Sequence, residues 1–327
     1  MPKGQTATST VAADAAPVAP RGRAGAPVRV LLALVLLAAL AAIPAFASNY
    51  VLEVLTNTWL YVVLCLGLNI VVGYAGLLDL GYAAFFAVGA YATGILTTRL
   101  GVDFWATIPA AILCAVAAAV VIGGPTLRLR SDYLAIVTLG FGEMVRIAAR
   151  NLSITGGASG LVGIRRPVLF GVRLDQVGQF YYVFLALAVL AWVLSARVEN
   201  SRIGRAWKYV RYDEDAAEAM GIDRVAVKLY AYMLGAVFAA VAGCFYAARM
   251  TAISPETFSF AQSVLILVGV VLGGMGKIPG VALGAVVLTV FPEVFRAIGS
   301  TRMLVFAVLL LLLMLFRPHG LWPDRRA

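Results

Sequence analysis

Five ionisable side chains stand inside or at the ends of long apolar runs: Asp79, Asp132, Glu143, Arg146 and Glu293. A charge in hydrocarbon is costly, so such residues pair, cap a helix or face an aqueous path. Glu143 and Arg146 fall on one face of a helix at a spacing that lets them pair. Asp132 follows Arg128 and Arg130, sits at an interface and suits the cap of a helix beginning at Tyr133. Asp79 is the only acid in a stretch holding Gly73, Gly76, Gly81, Gly89 and Gly94. Irregular backbone at membrane depth is tolerated only where protein or a cavity surrounds it. Asp79, Gly81, Glu143 and Arg146 are therefore the candidates for lining a path or for packing helices.

Other chemistries lack their residues. A proton relay needs several connected acids, and the only histidine, His319, lies beyond the last apolar run. Cys65, Cys114 and Cys244 are an odd number without ligand-like spacing, so neither a disulfide framework nor a zinc site is indicated. The turn Thr155-Gly-Gly-Ala-Ser-Gly160 lacks the Gly-Lys-Ser/Thr ending of a nucleotide loop, as does the rest of the chain. No catalytic residue, cofactor or metal is expected.

The elements that hold these residues follow from composition. The chain has 327 residues, 62% hydrophobic and 13% charged. Soluble domains carry about 25% charge, so an integral membrane protein is the first reading. Apolar runs at 30–47, 58–73, 76–97, 105–123, 132–149, 179–196, 229–248, 259–275, 278–296 and 303–316 predict an all-α polytopic fold. It has about ten transmembrane helices, some short or discontinuous. A cleaved signal peptide is the alternative for the first run, since Ala45-Phe46-Ala47 resembles a cleavage site. The run is long for that, and a retained span is preferred. Residues 1–27 read as a disordered tail, 28–317 as the transmembrane domain and 318–327 as a second tail.

The formal net charge is +10, but the basic residues interrupt apolar stretches and no nucleic-acid motif accompanies them. Placing both termini in the cytoplasm puts most of the 26 Lys and Arg on that side, as the positive-inside rule requires. The exception is the outer segment 150–178, which holds Arg150, Arg165, Arg166 and Arg173 and reads as flexible around its glycines.

The longest cytoplasmic segment is 197–228. Arg202, Arg205 and Lys208 share a helix face, Asp213, Glu214, Asp215 and Glu218 follow, Gly221 suits a helix C′ position, and Asp223 starts the next helix. A solvated surface helix is one reading, a docking element for a soluble partner the other.

Several stretches carry a resemblance. They are Asn69 to Tyr91, including Gly73-Tyr-Ala-Gly76-Leu-Leu-Asp79-Leu-Gly81; Leu127 to Glu143; Asp213 to Gly221; Gly269 to Gly284; and Arg317-Pro-His-Gly-Leu-Trp-Pro323. Together they resemble the permease subunits of branched-chain amino-acid ABC importers, the longer of the two paralogous types, over residues 50–323. The resemblance implies a second homologous permease, two cytoplasmic ATPases that hydrolyse ATP, an extracytoplasmic substrate-binding protein and the bacterial inner membrane. It implies a branched-chain amino-acid substrate, Leu, Ile or Val, with urea, short amides or other amino acids as alternatives within the family. An ion-coupled secondary transporter is the remoter alternative. The resemblance also implies an ATPase-coupling segment containing Arg205, Asp213, Glu214, Ala217, Met220 and Gly221.

Overall fold

The computed structural model describes residues 35, 37–127, 131–169, 171–296, 299, 304, 307–308, 311, 315–316 and 320–321. The chain divides into two units, Met1–Phe46 and Ala47–Ala327. Of the first, residues 37–42 are helical and a 3-10 turn follows at Ile43–Ala45. The 1–27 tail, the start of the expected first span, most of the last span and most of the second tail lie outside the described residues.

The second unit is helical. Helix α1 runs Asn49–Leu68, capped by Ser48, whose Oγ accepts from the Val51 N–H. It widens into a π-helical turn at Asn69–Tyr74, and the chain then unwinds through residues 75–81. Helices α2 (Tyr82–Arg99), α3 (Phe104–Thr126) and α4 (Ser131–Asn151) follow. The last takes in Asp132, which the sequence had placed as its cap.

The segment after α4 is not the loose loop its glycines suggested. It forms 3-10 turns at Ser153–Thr155 and Gly157–Ser159. The buried Thr155 hydroxyl donates to the carbonyls of Ala149 at 2.6 Å and Leu152 at 2.7 Å. Strand β1 (Leu161–Val162) pairs antiparallel with β4 (Ala252–Ile253), and β2 (Val168–Leu169) pairs with β3 (Val172–Arg173). Glycine permits the turns, and ladder pairing then fixes them.

Helix α5 (Val177–Glu199) leads to two short helices, α6 (Arg202–Tyr212) and α7 (Glu214–Ala219). Helix α8 (Arg224–Met250) is followed by β4, and then by α9 (Phe260–Gly273) and α10 (Ile278–Val294).

Among the described residues, four helical stretches are long and apolar enough to cross a membrane: Asn49–Tyr74, Phe104–Thr126, Val177–Glu199 and Arg224–Met250. At 1.5 Å per residue, the 14 residues of α9 reach only about 21 Å, short of a hydrocarbon core about 30 Å thick. Helices α9 and α10 pack against each other and against α1.

The centre of the bundle is the contact between α2 and α8, with α1 and α3 flanking α8. Small residues set its closeness. A Cβ on Gly89 would meet the Ala240 carbonyl, and one on Gly243 would meet the Phe86 carbonyl. In a bilayer the hydrophobic effect does not drive helices together, so backbone approach through glycine and alanine supplies the packing. Ala236, Ala239, Ala240, Ala247 and Ala248 are all fully buried along this seam.

Candidate functional site

The interrupted backbone between α1 and α2 is the first place of interest. A helix start leaves N–H groups without partners, and here they lie inside the bundle. Asp79 Oδ1 accepts from the Gly81 N–H at 2.8 Å, Thr138 Oγ1 from Leu80 at 3.0 Å and Ser263 Oγ from Ala83 at 2.9 Å. Thr138 belongs to α4 and Ser263 to α9, so two distant helices cap α2. All three side chains are buried. The second Asp79 oxygen finds no hydrogen-bond partner among the described residues.

Gly81 is where α2 and α4 touch backbone to backbone: a Cβ there would strike the Thr138 carbonyl. The phenol of Tyr82 donates to the Gly235 carbonyl at 3.0 Å and ties the same helix start to α8. Asn69 Oδ1 accepts from the Gly276 N–H at 2.8 Å, joining the π-turn to the break between α9 and α10.

Glu143 and Arg146 do pair, at 2.8 Å, but not in a sealed interior. Arg146 also reaches Glu256 at 3.0 Å, and Arg150 lies 3.6 Å from the same carboxylate. Glu143 Oε1 further accepts from the Phe260 N–H, the first of α9. The pair is part of a partly exposed ionic cluster joining α4 to the chain entering α9. Spacing revealed the pair; Glu256, more than a hundred residues away, carried no signal.

At the opposite end, α6 and α7 form the segment singled out by charge. It is two helices, broken at Asp213, whose carboxylate accepts from the Asp215 and Ala216 N–H groups at 3.1 and 3.0 Å and caps α7. The end of α7 is a Schellman closure: Gly221 N–H donates to Glu218 O at 2.9 Å and Ile222 N–H to Ala217 O at 3.1 Å. Gly221 has φ +82°, with open space where a side chain would stand. Asp223 caps α8 through Val225 and Ala226.

The acids tie the segment to the bundle. Glu214 pairs at 2.6 Å with Lys228, itself buried. Glu218 and Asp215 lie 3.2 and 3.5 Å from Arg224. Ala217 is buried on the inner face, whereas Met220, Gly221 and Tyr212 face outward. Arg205 is exposed and donates to the Asn200 carbonyl at 3.3 Å.

Four residues that the sequence did not mark as a set fasten α6 to the end of the π-turn. Trp207 is buried, stacks on Tyr74 and donates to the Val227 carbonyl at 2.7 Å. Lys208 pairs with Glu199 at 2.9 Å, and Glu199 also accepts from the Tyr74 hydroxyl at 3.3 Å. Arg211 donates to the Gly73 carbonyl. Among the described residues no group of His, Cys, Asp and Glu is placed to hold a metal.

Residues 50–316 match the family described as the permease component of the branched-chain amino acid transport system. The high-affinity branched-chain amino acid transport system permease protein LivM of Escherichia coli K12 is 42% identical, over 90% of this chain and 75% of its own. A probable branched-chain amino acid transport permease protein LivM of Methanocaldococcus jannaschii is 29% identical, over 81% of this chain and 91% of its own. The LivH permease protein of E. coli K12 is 25% identical, over 80% and 90%. No solved structure matches.

Proposed function

The chain belongs to the branched-chain amino acid transport permease family, and on that premise we propose that it is the longer of two permeases in an ATP-driven importer of branched-chain amino acids. The observation that carries the reading is its identity to a LivM protein across nine-tenths of the chain. Similarity to LivH supports a partner of the same ancestry, the two permeases together forming the path.

In this reading the chain is a non-catalytic membrane subunit. ATP is hydrolysed by two cytoplasmic ATPases, and an extracytoplasmic binding protein delivers the amino acid. Both termini and α6–α7 face the cytoplasm of a bacterial inner membrane, and the β1–β4 end faces outward. The exposed Met220 and the Schellman turn at Gly221 fit a groove on the ATPase, because the nearby acids are already engaged by Lys228 and Arg224. Transport requires two packings of the bundle with access to opposite sides. The break at 75–81 and the short α9 and α10 suit such a change, since a discontinuous helix rearranges without unwinding a regular one.

The test is reconstitution of the chain with its neighbouring permease, ATPases and binding protein in vesicles. Labelled leucine, isoleucine and valine should accumulate only with ATP and all components. Accumulation of urea, short amides or other amino acids instead would reassign the substrate. Uptake driven by an ion gradient without the ATPases would overturn the reading.

A further inference from the structure

We propose that Arg211 is the positioning residue through which the docking segment holds the break in the membrane helix. The argument starts from one carbonyl. In a regular helix Gly73 O would accept from the Leu77 N–H. Here Leu77 donates to Val71 O at 3.1 Å, and Ala75 to Ile70 O at 3.3 Å. The helical donor of Gly73 O is gone, and a buried carbonyl needs another. The guanidinium of Arg211, 138 positions along the chain, supplies it.

The fit is built from both sides. A Cβ on Gly76 would stand 2.9 Å from Arg211 Cγ, so the arginine stem crosses where residue 76 has no side chain. A Cβ on Gly276 would lie 3.3 Å from Arg211 Nη1 and 3.2 Å from Gly73 O. Both helix breaks, the one after α1 and the one between α9 and α10, therefore meet at this guanidinium. Glycine at both positions leaves it room.

Two residues beyond Arg211, Asp213 begins α7. Only Tyr212 separates the arginine from the cap of the helix that carries Met220. A tilt of α7 thus moves the donor of Gly73 O. Arginine suits this role better than lysine, because its fixed planar fork addresses a carbonyl at a set angle and remains charged. The proposal rests on the reading of α7 as the ATPase-docking element.

The test compares Arg211→Gln, Arg211→Lys and Gly221→Asp in the complete transporter in vesicles, with loaded binding protein. Arg211→Gln should assemble with both ATPases and hydrolyse ATP, yet transport per ATP should fall about tenfold, within the roughly 5–150-fold span of coupling effects. Arg211→Lys should restore part of it. Hydrogen exchange should quicken at amides 73–81 and stay slow at 60–68.

Wild-type transport per ATP, or unchanged exchange at 73–81, in Arg211→Gln would overturn the proposal. If Gly221→Asp releases the ATPases while Arg211→Gln remains coupled, the docking reading stands and the Arg211 link falls. If Gly221→Asp changes neither ATPase binding nor coupling, the docking reading falls and the transmission role with it.

Discussion

The indole of Trp207 lies parallel to the phenol of Tyr74, with ring centroids 6.5 Å apart and planes within 6°. One ring belongs to an amphipathic helix outside the spans, the other closes the π-turn that ends α1. Trp207→Ala removes a fully buried ring and its bond to Val227, a loss of about 3–5 kcal/mol for such a truncation. The expected outcome is proteolysis within residues 200–224 while α8 stays protected, with Trp207→Phe intermediate. Resistance equal to wild type would mean that α6 is held without the stack.

Gly81→Ala and Gly140→Ala form a matched pair. The first drives a methyl into the Thr138 carbonyl; the second meets nothing within 4 Å. Folded yield in membranes should collapse for the first. For the second it should hold or rise, since alanine is favoured over glycine inside a helix by roughly 0.5–1 kcal/mol. Equal yields would show that α2 and α4 do not touch at Gly81.

Asp79→Asn keeps an oxygen for the Gly81 N–H and removes the acid. Transport should fall more than expression. Asp79→Leu should lower stability as well, by about 1–2 kcal/mol for a lost helix cap. Transport per folded molecule unchanged in Asp79→Asn would leave Asp79 as a cap alone.

Lys228→Met removes the buried partner of Glu214. Exchange at residues 213–223 should rise in low and high salt alike. The Arg224 pairs, being exposed, should by contrast weaken with added salt. Protection of 213–223 at the wild-type level would show that the α7 cap and turn suffice without the ion pair.

Orientation is read by chemistry at Ser159, an exposed residue of the second 3-10 turn after α4. In a chain freed of its exposed thiol by Cys114→Ser, Ser159→Cys should react with an impermeant reagent from outside. A reporter after Ala327 should be cytoplasmic. Labelling of residue 159 only from the cytoplasm would invert the assignment.

The spans were legible because apolar runs write themselves into composition. Helices α3, α5, α8 and α10 lie close to the expected intervals. Helix α1 starts at Asn49 rather than 58 because Glu53 and Asn57 interrupt the run without interrupting the helix. Asp223 as a cap and Gly221 as a C′ residue were legible because capping is local. Arg211 was not: its partner is a backbone carbonyl whose availability depends on where the π-turn breaks. The partners of the α7 acids were not legible either, for charge on a helix does not say whether it faces another subunit or Lys228.

The borrowed caps of α2 have a consequence for hydration. Leu80 and Ala83 owe their acceptors to Thr138 and Ser263, residues of two other helices. If α4 or α9 draws away, those amides are stranded in a dry interior at a cost of about 1–3 kcal/mol each. Water entering the gap removes that cost. Separation of these helices and wetting of the bundle are then one event, and a bundle that excludes water keeps itself shut.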